Sequence, residues 1–121
     1  LHRICGKPLT SMEAITRAAR SVRKQGLDII LVSMGPSGML MISADEEYIA
    51  TPPQVEAINT IGAGDSAIAG FIYGLTSGLD RQQALVHAVA AGTSAILQTG
   101  TALCSMDDFE DLLPRIELEK I

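Results

Sequence analysis

An α/β domain is the fold class this sequence predicts, and three observations point to it. Residues 28–33 (Asp-Ile-Ile-Leu-Val-Ser) form a short, continuous apolar run rich in branched side chains, as strands buried on both faces do. A stretch of helical periodicity precedes that run, and a Gly-Pro-Ser-Gly turn follows it. The second half of the chain then reads as successive helices, two of them almost uncharged. Strands flanked by helices in this order suit a mostly parallel sheet with one hairpin and helical layers around it. The 121 residues leave room for one modest domain or one part of a larger one.

Composition narrows the function. Apolar residues make up 47% of the chain and charged ones 19%, so a packed core is expected and disorder is not. Nine Lys and Arg against 14 Asp and Glu leave a net charge of −5, which argues against a nucleic-acid module with its basic face. Aromatic residues are 3% and Trp is absent, so stacking platforms for bases are not expected either. No apolar run reaches the roughly 20 residues that span a bilayer; the longest, residues 84–97, is interrupted by His87, Gly92, Thr93 and Ser94. The first residues carry no secretory-signal pattern. Cys5 and Cys104 have no metal-ligand spacing and are too few for a disulfide scaffold. A reduced, cytoplasmic compartment is the expectation.

Each element has a local reason. Thr10 and Glu13 have capping-box spacing, and Ala14, Ile15, Ala18, Ala19 and Val22 recur on one helical face up to a stop at Gly26. After the strand at 28–33, Gly35-Pro36-Ser37-Gly38 turns the chain, residues 39–43 resume as a strand, and 47–50 pair back as a hairpin. Pro52 and Pro53 break that strand, and 55–58 form a short edge strand. Residues 66–77 are small and apolar nearly all round, which predicts a buried helix ending at Gly78. Asp80 caps the next helix, 81–97, and Ser105 with Asp108 caps a last one around Phe109, Leu112 and Leu113. His87 reads as a core or partly buried histidine, and the acids 107, 108, 110 and 111 as first-turn residues rather than metal ligands.

The chemistry is expected at Asn59-Thr60-Ile61-Gly62-Ala63-Gly64-Asp65-Ser66. Two glycines one residue apart ahead of a helix let backbone amides converge on one point, where the helix dipole favours an anion such as phosphate. Asp65 would repel that anion unless it has another task, and a general base for an attacking hydroxyl is such a task. The same residues also suit an ordinary helix start with Asp65 as a favourable first-turn acid. A P-loop is excluded, because the single Gly-Lys pair, Gly6-Lys7, precedes Pro8. Gly62, Gly64 and Ala67 fit Gly-x-Gly-x-x-Ala, but a second helix follows where a dinucleotide site needs a strand ending in an acid.

With these residues in view, the chain resembles the C-terminal part of the ribokinase-like (phosphofructokinase B) carbohydrate kinases. Residues 59–72 satisfy their second signature throughout. Further similarity lies at 6–9, 32–38 and 89–95, and the tail 100–108 is most like the 6-phosphofructokinase group. The 1-phosphofructokinase and tagatose-6-phosphate kinase groups are close behind.

The resemblance implies a three-layer fold and ATP-dependent phosphoryl transfer to a sugar-phosphate hydroxyl, with Asp65 as base and Mg2+ neutralising charge. It makes the amides of Gly62, Ala63, Gly64 and Asp65 an anion hole and Ser33, Gly35 and Gly38 a turn along the nucleotide. Val89 and Thr93 become neighbours of adenine, although a packed helix face accounts for these two equally well. Main-chain oxygens of Asn59, Ile61, Ala95, Gln98 and Gly100 correspond to a monovalent-cation (K+) loop in some members. Members of the family are much longer, so residues 1–121 would be the C-terminal part of a single kinase domain. The sugar-contacting acid, the lid and the upstream glycine signature have no counterpart here. The expected partners are ATP and a small sugar phosphate, in a homo-oligomer, with the chain alone prone to self-association. Alternatives are a kinase of the same fold acting on tagatose 6-phosphate, fructose 1-phosphate or a nucleoside, and a non-catalytic fragment that keeps the fold.

Overall fold

A computed structural model describes residues 12–58, 62–97 and 106–121. Helix α1 (Met12–Arg23) turns Thr16, Ala19 and Val22 inward. It ends where Gly26 takes a φ of 112°, a left-handed conformation that costs glycine little. The cap expected at Thr10 lies outside the described residues. Strands β1 (Ile29–Ser33), β2 (Met39–Ser43) and β3 (Glu47–Thr51) follow. Between β1 and β2 the Gly35–Ser37 turn is a single 3-10 turn, closed by Met34 N–H donating to Gly38 O at 2.8 Å.

Strand direction differs from the expectation. The sheet runs in the order β1-β2-β3-β4, and all three pairings are antiparallel, with β4 (Glu117–Lys120) beside β3. A parallel β1–β2 pair would need a crossover of a dozen or more residues, and the turn at 35–38 is far too short. Strand β4 was not anticipated, because its alternation of Glu and Leu is brief and polar. Its exposed charges suit a sheet edge. Residues 55–58, expected as an edge strand, form none; they follow two prolines that cannot donate to a ladder.

Strand β2 is buried along its whole length and divides the core. Met39 and Met41 face Ala67, Phe71, Ala88 and Val89 on one side, while Leu40 and Ile42 face Ala19 of α1 on the other. This places α1 on one face of the sheet and helices α2 (Ala63–Thr76) and α3 (Arg81–Ile96) on the opposite face. The α/β, three-layer expectation holds.

Helix α2 starts at Ala63, ahead of the expected Ser66. Only one of its faces is buried: Ser66, Ala67, Gly70, Phe71 and Gly74 pack inward, whereas Ile72 and Tyr73 are 53% and 59% exposed. The small residues bring α2 against α3 so closely that a Cβ on Gly70 would lie 2.7 Å from His87 O. Asp80 caps α3 as expected, accepting from Gln83 N–H at 2.8 Å. His87 is half-buried, its Nδ1 2.8 Å from Gln83 O and its ring 5.5 Å from that of Phe109. Helix α4 (Met106–Leu112) anchors itself through Leu112, while its expected cap, Ser105, and Cys104 lie outside the described residues. Among the described residues no helix is long and apolar enough to cross a membrane.

Candidate active site

The start of α2 is built by backbone rather than side chain. Gly62, with φ 83°, occupies the N-cap in the left-handed region and makes no side-chain cap. The first intrahelical bond runs from Ser66 N–H to Gly62 O at 2.9 Å. The amides of Ala63, Gly64 and Asp65 precede it and are the donors a helix leaves for an anion. Among the described residues, a Cβ on Gly64 would meet nothing within 4 Å. Asp65 is exposed in the same first turn.

Beside this turn lies a cleft of about 290 Å³ between the 35–38 turn, the connector from β3 to α2, and helix α3. Six residues singled out from the sequence line it together: Ser33, Gly35, Gly38, Ala63, Val89 and Thr93. Gly62, Gly64 and Asp65 are not in its wall but occupy the adjoining helix start. Packing holds the parts in register. Gly38 (φ 98°) passes so close to β3 that a Cβ there would clash with Ala50 O. Gly92 similarly lets α3 approach the first turn of α2, where a Cβ would sit 3.3 Å from Ala63 O.

Of the residues expected to form a cation loop, Asn59, Ile61, Gln98 and Gly100 lie outside the described residues. Ala95 is buried near the end of α3, where its carbonyl accepts from Leu97 N–H. Ile58 N–H donates to Ile96 O at 2.7 Å, joining the two described stems that lead toward those segments. Among the described residues no cluster of His, Cys, Asp and Glu could hold a metal by itself. The lowered Glu47 carboxyl, held down chiefly by its hydrogen bond to Arg20, lies on the α1 side of the sheet and outside the cleft wall.

Sequence reasoning missed the connector: Pro52, Pro53, Gln54, Val55 and Ala57 line the cleft opposite α3. The paired prolines were the available signal, since they end β3 and hold the following chain extended without pairing. Chemically, the site offers an apolar slot, open amides at one end and a carboxylate next to them.

The model of the pfkB family of carbohydrate kinases matches residues 1–108. The 1-phosphofructokinase of Escherichia coli is 32% identical over 114 residues, which are 94% of this chain and 36% of that protein. Phosphofructokinase-2 of E. coli, solved in complex with potassium, superimposes with a TM-score of 0.87 at 30% identity, covering 93% of this chain and 37% of that one. The ribokinase of Arabidopsis thaliana, solved with ribose and ATP, gives a TM-score of 0.82 at 25% identity, with the same coverage of 93% and 37%. The chain thus spans little more than a third of the length of the relatives it matches. A family match over nearly the whole chain, together with a ribokinase-like arrangement of the sheet, turn and helix start, makes this chain a member of the pfkB family of carbohydrate kinases.

Proposed function

We propose that this chain is the C-terminal part of an ATP-dependent sugar-phosphate kinase, carrying its base and much of its nucleotide pocket. The observation that carries the reading is the meeting of the Gly62–Asp65 helix start with a cleft lined by Ser33, Gly35, Gly38, Ala63, Val89 and Thr93. The cleft's residues fit a nucleotide: apolar walls at Val55 and Val89 suit a base, and the amides at 63–65 suit its phosphates. ATP supplies the transferable phosphoryl group. Mg2+ would enter with the nucleotide, bound to its phosphate oxygens.

In the reaction, Asp65 accepts the proton of the acceptor hydroxyl, and the freed oxygen forms a bond to the γ-phosphorus. The bond from that phosphorus to the β–γ bridging oxygen breaks, and ADP leaves. The amides of residues 62–65 hold the transferring oxygens, so that positioning and fixed dipoles supply most of the rate. A K+ ion held by main-chain oxygens of residues 59, 61, 95, 98 and 100 would add positive potential beside them. The sugar would be held largely by residues beyond this chain.

Fructose 6-phosphate is the first acceptor to test, on the resemblance of residues 100–108 to the 6-phosphofructokinase group. Fructose 1-phosphate is the second, favoured by the identity to 1-phosphofructokinases. A coupled ADP assay of the complete polypeptide with each sugar, before and after Asp65→Asn, tests the proposal. Loss of the base should lower kcat about 100-fold or more, with ATP affinity retained. A variant that keeps most of its kcat would remove Asp65 from this role.

A further inference from the structure

Helix α3 holds a single glycine, Gly92. A glycine inside a helix costs about 1 kcal/mol against Ala, and Gly92 is not among the positive-φ residues, so its backbone does not require one. Its surroundings do. A Cβ there would stand 3.3 Å from Ala63 O and 3.3 Å from Ala67 Cβ, both on α2. Ala63 O belongs to the peptide unit that joins Ala63 to Gly64. That unit is planar and trans, so its C=O and its N–H point in opposite directions. The C=O runs down α2, and the Gly64 N–H leaves the start of the helix with no intrahelical acceptor. Gly92 therefore packs against one end of a rigid plate whose other end is a phosphate donor of the proposed site.

Gly92 also stands in the cleft wall beside Val89 and Thr93 of its own helix. The crossing of α2 and α3 at this glycine ties the wall of the slot to the aim of one amide. We infer that Gly92 is a positioning residue: its missing side chain lets the Ala63–Gly64 peptide hold its N–H on the transferring phosphoryl group. The inference rests on the kinase reading above and adds to it a residue that acts through another. A methyl group at Gly92 would force the contact with Ala63 O open by a few tenths of an ångström. The rigid peptide passes that displacement to the Gly64 N–H. A misplacement of 1 Å can cost about 10²-fold in rate, so a few tenths scale to about four- to tenfold.

Turnover and calorimetric ATP binding of the complete polypeptide test this, with Gly74→Ala as the control. A Cβ on Gly74 would stand 2.9 Å from Ala84 Cα. That is a tighter contact between the same two helices, about 15 Å along α2 from Gly64. Gly92→Ala should lower kcat about four- to tenfold while ATP affinity stays within about threefold, since the donor acts chiefly in the transition state. The Gly64 amide resonance, read without nucleotide, should shift in Gly92→Ala and hold in Gly74→Ala. Gly74→Ala should melt lower than Gly92→Ala yet keep its kcat within about twofold, because overpacking there strains the helix pair far from the site. Normal kcat in Gly92→Ala, an equal loss in both variants, or ATP affinity falling in step with kcat overturns the inference and leaves the kinase reading in place. A folded wild-type protein that neither binds ATP nor forms ADP with a sugar phosphate refutes the kinase reading, and this inference with it.

Discussion

Two glycines of α2 carry opposite predictions, and substituting both by Ala isolates what the helix start is for. At Gly64 the added methyl group meets no atom of the described residues within 4 Å, and the backbone is not among the positive-φ glycines. Replacing Gly by Ala in a compatible conformation stabilises by about 0.4–1 kcal/mol, mainly by removing freedom from the unfolded chain. Gly64→Ala should therefore raise Tm by a few degrees at most. At Gly70 the methyl group would stand 2.7 Å from His87 O and 2.8 Å from Ala91 Cβ. Helices α2 and α3 must then part by roughly 0.7 Å to recover ordinary carbon contacts of ~3.5 Å. Overpacking of this kind costs about 1–3 kcal/mol, so Gly70→Ala should lower Tm despite the same gain in propensity. Activity should divide the other way. The space beside Gly64 is where phosphoryl oxygens would approach the amides of Ala63, Gly64 and Asp65. The methyl group leaves those N–H donors in place but holds the oxygens off, and one such hydrogen bond is worth about 10²–10³ in kcat. Thermal melts and coupled ADP assays on the complete polypeptide read both effects. A Gly64→Ala protein that melts higher and turns over normally would refute the use of these amides.

Three further outcomes follow from the fold. Gly38→Ala, with its methyl group driven onto Ala50 O at a φ of 98°, should destabilise by more than about 3 kcal/mol and be recovered mostly insoluble. Arg20 Nε donates to Glu47 Oε2 at 2.7 Å, and this holds the Glu47 carboxyl below the usual range. Its contribution is complete above that ordinary range and disappears as pH falls through the lowered value. The matching rise of Arg20 is lost only in strong alkali. Wild type should thus melt slightly above Glu47→Gln at pH 7 and equally with it near pH 2; a constant difference would refute the linkage. Expressed alone, the 121 residues should self-associate through the exposed Ile68, Ile72 and Tyr73 of α2, because a bare apolar face tends to find a partner. Light scattering should show Ile72→Glu shifting the chain toward monomer, and a wild-type monomer would refute the claim.

Much of this structure is written in short stretches of residues. Gly26 and Gly78 end helices because a left-handed φ is open to glycine, and Asp80 begins one because its carboxylate takes the Gln83 amide. The paired glycines at 62 and 64 and the acid at 65 are legible as an anion site for the same local reason. Tertiary structure decided the rest. Nothing in Ile29–Ser33 itself says which strand lies beside it or in what register. The short turn at 35–38 allows only an antiparallel neighbour, and the folded sheet sets the pairing of Ile29 with Ser43 through Ser33 with Met39. Strand β4 exists because β3 offers it an edge, a partner remote in sequence. The apolar helix α2 looks equally buried on every side, yet contact with α3 selects the face of Gly70 and Gly74 and leaves Ile72 bare. Residues 52–55 and Ala57 became a cleft wall only by lying opposite α3. Caps and turns are satisfied within a few residues, so sequence determines them directly, whereas burial and strand direction depend on partners that only the folded chain brings near.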